Sequence, residues 1–196
     1  MHQLKWEKPL QLCYNNKNNE RKRLDNLYNF LLPDEFVNSV YDITPEYLKS
    51  IGIRGIITDL DNTLVEWDRP LCTDELANWL QLLQDEGIKV IIASNNNEER
   101  VKAFAEPIGI PYIHRAKKPL GKAYYNAMLK LGLRRKEVAM VGDQLLTDVF
   151  GAKRQKIYTF LVRPVAESDG FVTKFNRFVE RRVYNYLKRK GIETWK

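Results

Sequence analysis

Cysteine and histidine are both scarce in this chain: cysteine stands only at positions 13 and 72, and histidine only at 2 and 114. Neither pair has the spacing of a zinc site, and two distant cysteines suit a reducing compartment. A structural zinc module and a disulfide-built secreted fold are therefore excluded. No stretch approaches the roughly 18 consecutive apolar residues of a membrane span, and the opening MHQLKWEKPLQLC lacks the apolar centre of a signal peptide, so the expected location is the cytoplasm. Beyond the asparagine-rich start there is no low-complexity segment and no internal repeat. What remains, 196 residues with 44% hydrophobic and 29% charged side chains, is the composition of a soluble globular chain long enough to bury a sizeable core.

Negative charge is also in short supply. The net charge of +7 implies an acidic partner, whether membrane, nucleic acid or anionic substrate. From Lys174 to Lys190 seven cations face the single acid Glu180, so this tail carries nearly all of the surplus. Residues 1–25, with NNKNNERKR at 15–23, are polar and aperiodic and are expected to be a flexible extension. Residues 26–170 are expected to be the folded domain, and 171–196 a basic amphipathic helix.

Within the domain, LLPDEFVNSVYDITPEYLKSIG predicts two short helices, the second opened by Thr44 as N-cap and Pro45 at its first turn. Five apolar runs read as strands: around Ile56 and Ile57, IKVIIA, GIPYI, EVAMVG and IYTFLV. Helices alternate with them: TDELANWLQLLQDEG with Thr73 as N-cap, a stretch from Glu98 to Glu106, and PLGKAYYNAMLKLG with Leu120, Tyr124, Ala127, Met128 and Leu131 on one face. Strands that alternate with helices of this length predict a doubly wound α/β fold, a mainly parallel sheet with helices on both faces.

In GIITDLDNTLVEW two aspartates stand two positions apart at the end of a strand whose continuous β-branched run implies burial on both faces. An Asx-type turn would explain the pair locally. Ser94 follows KVIIA, Asp143 follows VAMVG, and Lys118 follows GIPYI, so all should converge on the carboxyl edge of the sheet, where such folds bind ligands. Taken singly, Ser94 could cap the next helix, Lys117 and Lys118 could be a solvated pair, and Asp143 could close a turn. Together they suit phosphoryl transfer. Asp59 is placed to attack phosphorus, and Asp61 to protonate the leaving oxygen and then activate water. Mg²⁺, a cation that prefers oxygen ligands, would be held by Asp59, Asp143 and the carbonyl of Asp61. Lys118, Ser94 and backbone N–H groups near Asn95 would bind the phosphoryl oxygens.

D-x-D-x-T at 59–63, ASN at 93–95, KKP at 117–119 and GDQLLTD at 142–148 resemble the four motifs of the haloacid dehalogenase (HAD) superfamily of phosphatases. The resemblance implies a HAD-like Rossmannoid fold, with Asp59 as nucleophile, Asp61 as acid/base, Ser94 and Lys118 on phosphate, Asp143 on Mg²⁺, and Thr63 and Asp148 in support. Many members end the fourth motif with adjacent acids. Here Thr147 precedes Asp148, so Asp148 is expected to act through water or by orienting Lys118. Neither the Asp59–Ser94 nor the Ser94–Lys118 interval holds a cap domain, and an uncapped cleft suits a phosphate presented by a protein, a nucleic acid or a membrane.

Drawn as a helix, the tail sets Phe171, Phe175, Phe178, Val179, Val183, Tyr186 and Leu187 on one side and most cations on the other. This suits either an anionic lipid interface or packing against the sheet. From LLPDEFV to VERRVYNYLKRKG the chain resembles the YqeG subfamily of capless HAD phosphatases, related to phosphatidylglycerophosphate phosphatases. That implies a lipid head-group substrate and a peripheral place on the inner face of the membrane. Two other classes fit the residues: a nucleic-acid or protein phosphatase, and a binding protein of ribosomes or a GTPase. The intact set of acids argues against pure binding.

Overall fold

In this computed structural model residues 28–69, 71–166, 173–189 and 191 are described, with side chains of the last helix described from 181. The expected extension at 1–25 lies outside them. Six strands, β1 (Glu35–Val37), β2 (Gly55–Thr58), β3 (Lys89–Ala93), β4 (Tyr112–Ile113), β5 (Val138–Gly142) and β6 (Tyr158–Val162), form one sheet in the order β1-β6-β5-β2-β3-β4. Every pairing is parallel. All the strands therefore point their carboxyl ends at one edge. Among the described residues, which include a helical turn at 28–31, six longer helices accompany them: α1 (Pro45–Ser50), α2 (Asp74–Asp85), α3 (Glu98–Ala105), α4 (Gly121–Leu131), α5 (Phe150–Arg154) and α6 (Thr173–Arg189).

Strand β2 lies between β3 and β5, which explains why its whole run is buried. Ile56 faces one layer, with Leu76, Trp79, Leu80 and Leu83 of α2 and Val101 and Phe104 of α3. Ile57 faces the other, with Ala123, Tyr124, Ala127 and Leu131 of α4 and Ala152 of α5. The helices on both faces are set by local chemistry. Thr44, Thr73 and Asn97 each accept a bond from a first-turn N–H, and after α2 Gly87 takes the left-handed conformation, φ 77°, that allows the chain to turn into β3. Among the described residues, single helices separate β2 from β3 and β3 from β4, so no cap domain occurs there.

Two expectations need correction. The first of the two short helices predicted in LLPDEFVNSVYDITPEYLKSIG is instead β1, followed by a single 3₁₀ turn at Val40–Asp42. A three-residue edge strand shows no periodicity of its own, and its pairing with β6 is a contact with residues more than a hundred positions away. Leu120, placed on the apolar face of α4, is exposed because the helix begins one residue later.

The tail packs on the protein over its last turns. Val183 and Leu187 of α6 are buried with Leu31, Leu145, Val149 and Leu161, and Tyr186 stacks on Tyr28 with centroids 3.8 Å apart. These two aliphatic side chains are thus occupied by the core. Phe171, Phe175, Phe178 and Val179 lie outside the described side chains. We expect Leu187→Ala to cost about 2–4 kcal/mol in urea unfolding, whereas Lys188→Glu with Arg189→Glu, both exposed, should stay within about 0.5 kcal/mol. A Leu187→Ala cost below that lower bound would mean that this face is not packed.

Candidate active site

Asp59 is the first residue past β2, its N–H still bonded to Val141 O at 2.9 Å as if the ladder continued. Its Oδ1 accepts from Leu60 N at 2.8 Å and lies 3.0 Å from Lys118 Nζ. The chain then turns sharply through Asn62, φ 61°, so that Thr63 can donate to Asp143 Oδ1 at 3.1 Å. Asp143 follows β5. Asp148 arrives on a single π-helical turn, Leu145–Val149. A Cβ on Gly142 would lie 2.4 Å from Asp148 Cγ, so only glycine at the end of β5 leaves room for this carboxylate. Tyr124 of α4 holds the turn from below by donating to Thr147 O.

Lys118 is buried, with its ammonium 2.7 Å from Asp148 Oδ1 as well as 3.0 Å from Asp59 Oδ1. Of the lysine pair only Lys117 is solvated. The loop that delivers Lys118 is clamped by Asn95, whose Oδ1 accepts from Lys118 N at 2.7 Å and whose Nδ2 donates to Lys118 O at 3.0 Å. The Asn95 side chain is thus used on the loop, which leaves its surrounding backbone N–H groups as the candidates for phosphate. Ser94 is buried at the end of β3 and its Oγ accepts from Asn96 N at 3.1 Å. Asn97, not Ser94, caps α3.

Asp59, Asp143 and Asp148 offer carboxylate oxygens that all lie within 4.8 Å of one another. The carboxylate of Asp61 is not in this cluster. It accepts from Asn96 Nδ2 at 3.0 Å and is gripped on Oδ1 by Arg100, with Nη2 at 2.9 Å and Nε at 3.1 Å. Neither Asn96 nor Arg100 was anticipated. The signal available was weak: Arg100 stands in the first turn of a helix that opens at the carboxyl edge, and a residue there faces the same crevice as the strand ends.

The electrostatics are those of a site short of positive charge. Three buried carboxylates surround one ammonium, which leaves a surplus of two negative charges. Burial, reinforced by the Asp148 and Asp59 charges, raises the Asp143 pKa well above the carboxylate range. Burial pushes Asp148 up to about 6 against the pull of Lys118. Burial alone would lower Lys118, but its two carboxylate neighbours outweigh that and raise it. Burial also raises Asp61, against the opposing effects of Asn96 and Arg100. An all-oxygen donor set with two surplus charges fits a hard divalent cation.

Residues 67–155 match the haloacid dehalogenase-like hydrolase family, a match that begins just beyond the two aspartates of the first motif. The chain is similar to the "Probable phosphatase YqeG" of Bacillus subtilis, 56% identical over 169 residues that cover 86% of this chain and 98% of that protein. It is also similar to an Arabidopsis thaliana protein, phosphatidylglycerophosphate phosphatase 1 of chloroplasts and mitochondria, at 29% identity over 84% of this chain and 50% of that protein. A mitochondrial phosphatidylglycerophosphatase of Saccharomyces cerevisiae is 29% identical over 69% of this chain and 79% of its own length.

A crowded set of acids should destabilise the metal-free protein at neutral pH. A carboxyl whose folded pKa is raised favours the protonated folded state. Its contribution to stability is complete below about pH 4 and is lost as pH rises through the folded value, about 6 for Asp148. Chelated protein should therefore melt several degrees higher near pH 5.5 than near pH 7.5. Asp143→Asn should flatten that dependence and raise metal-free stability at neutral pH. Scanning calorimetry across that range reads both, and an unchanged melting temperature would contradict the surplus.

Proposed function

Since the chain belongs to the haloacid dehalogenase-like hydrolases, matching that family over residues 67–155 and a phosphatase relative at 56% identity over almost that relative's whole length, we propose that it is a Mg²⁺-dependent phosphomonoester hydrolase. It works through an aspartyl phosphate on a phospholipid head group such as phosphatidylglycerophosphate. The observation that carries the chemistry is the ammonium of Lys118 set between Asp59 and Asp148 inside a cluster of three carboxylates. Both protein contacts of the Asp59 carboxylate fall on Oδ1, which orients Oδ2 as the attacking atom.

Asp59 Oδ2 attacks phosphorus and the ester P–O bond breaks. The departing oxygen takes a proton from Asp61. Water then attacks the aspartyl phosphate as Asp61 takes back a proton, freeing Asp59 and inorganic phosphate. Lys118, the Ser94 hydroxyl and the N–H groups beside Asn95 hold the phosphoryl oxygens. Thr63 orients Asp143, and Asp148 orients Lys118. Asp59, Asp143 and the Asp61 carbonyl would hold Mg²⁺, with Asp148 within the same reach. When bound, the cation neutralises phosphoryl charge and supplies a Lewis acid. The lipid substrate is supported by the relatives named as phosphatidylglycerophosphate phosphatases and by an uncapped cleft that cannot enclose a small metabolite. Among the described residues no helix is long and apolar enough to cross a membrane, so the enzyme would meet its lipid from the surface.

Asp59→Asn should abolish release of phosphate from phosphatidylglycerophosphate while leaving the thermal melt intact. Asp61→Asn should still form phosphoenzyme slowly but fail to turn over. Activity near wild type in Asp59→Asn would remove Asp59 from the nucleophile's role. Activity should also require Mg²⁺ and be blocked by Ca²⁺, whose larger and looser shell admits a bidentate carboxylate that is out of line with phosphorus. Full turnover in excess chelator would refute the metal requirement.

A further inference from the structure

The proposed mechanism asks Asp61 to move a proton in each half of the reaction, yet its carboxylate stands apart from the cluster of Asp59, Asp143 and Asp148. Both of its oxygens are engaged by α3 and the loop before it. Oδ1 takes two donors from Arg100, Nη2 at 2.9 Å and Nε at 3.1 Å, and Oδ2 takes one, Asn96 Nδ2 at 3.0 Å. An ionised carboxylate has about four acceptor positions, two on each oxygen, so Oδ1 is filled and Oδ2 keeps one open. Donors on both oxygens fix the plane of the group and leave Oδ2 as the atom that exchanges protons.

The guanidinium is committed to this contact. The Arg100 side chain is only 14% exposed, its Nη1 is buried with no hydrogen-bond partner among the described residues, and Nη2 reaches Glu66 O only at 3.5 Å. A buried donor left unpaired is unfavourable, so this seat serves Asp61 at the expense of the guanidinium's own hydrogen bonding. The seat is firm nonetheless. Asn97 caps the helix by accepting from Arg100 N at 2.9 Å, and the Arg100 Cζ lies 5.9 Å from the centroid of the buried Phe104 ring. The orientation of Asp61 is thus referred through Arg100 to the apolar core under α3.

We infer that Arg100 is the positioning residue of Asp61, with Asn96 as its second support, and that its effect falls chiefly on hydrolysis of the phosphoenzyme. The inference rests on the aspartyl-phosphate reading given above. In the first half of that reaction the ester P–O bond breaks and the departing oxygen takes the Asp61 proton. An aryl oxide departs readily without that proton, whereas an alkyl oxide does not. In the second half the nucleophile is always water: its oxygen bonds to phosphorus, the bond from phosphorus to Asp59 breaks, and its proton passes to Asp61 Oδ2. A well-oriented Asp61 is therefore dispensable for phosphorylation by an aryl phosphate and required for hydrolysis whatever the substrate.

The test is rapid quench of the full chain with an aryl phosphate labelled at phosphorus, comparing wild type with Arg100→Met, which keeps an unbranched apolar stem and loses the donors, and with Arg100→Lys. In Arg100→Met the label should reach Asp59 within about threefold of the wild-type rate and leave it about tenfold or more slowly. Steady-state kcat and KM should fall together, so that kcat/KM on the aryl phosphate stays within about threefold, whereas kcat/KM on glycerol phosphate, an alkyl ester, should fall by about tenfold or more. Arg100→Lys should recover part of the lost rate. Should the melt show that Arg100→Met is unfolded, Arg100→Lys alone must show the same one-sided loss at smaller size. Equal loss in both steps overturns the inference and makes Arg100 a structural residue. Label on Asp59 in wild type with an unaltered lifetime in both variants defeats the inference alone. Wild-type turnover with no label on Asp59 defeats the aspartyl-phosphate reading, and the inference with it.

Discussion

The ammonium of Lys118 is the contact on which the rest of this architecture depends. It bridges the end of β2, through Asp59, to the π-helical turn after β5, through Asp148. Removed from water, it is tolerable only because two carboxylates replace its hydration, and the carboxylates in turn are tolerable only with a cation among them. The loop from β4 that supplies it is fixed on both sides by Asn95. Three strand ends are thereby held in one geometry by a single charge. The layers of apolar side chains behind them make the sheet rigid enough for that geometry to persist.

The sheet's central part was readable from residue type because β2, β3 and β5 are buried on both faces and their runs are continuous. The caps at Thr44 and Thr73 were readable because capping is a local bond. β1 was not, since it exists through its pairing with β6 and has no pattern of its own. Asp59, Ser94, Lys118 and Asp143 could be brought to one edge by topology alone, because each directly follows a strand or the loop after it. Asp148 is different: its place depends on the missing side chain of Gly142 and on a π-helical turn, and neither has a spacing signature. The Asn95 clamp and the Arg100 grip on Asp61 join segments whose approach is set by packing, so sequence order does not reveal them.

Charge shows how averaging hides structure. Summed over the chain, nearly all of the positive surplus belongs to the tail, and the domain looks neutral. Within the domain the charges are nonetheless unevenly placed: three acids, Asp59, Asp143 and Asp148, are buried around Lys118, and the stretch between Glu106 and Glu137 carries only cations. A net figure for the domain shows neither.

Arg100 gives one short helix a disproportionate role. Helix α3 has eight residues and is anchored to the sheet by Val101, Phe104 and Ala105, while its first turn holds the carboxylate of Asp61. A helix of two turns has little stability beyond its packing, so it can detach at a lower free energy than the sheet needs to open. When it does, Asp61 loses its orientation while Asp59 and the carboxylate cluster stay assembled. On the mechanism proposed above, warming would then first produce molecules that accept a phosphoryl group and cannot discharge it, a stalled state set by the seating of a helix rather than by the melting of the fold.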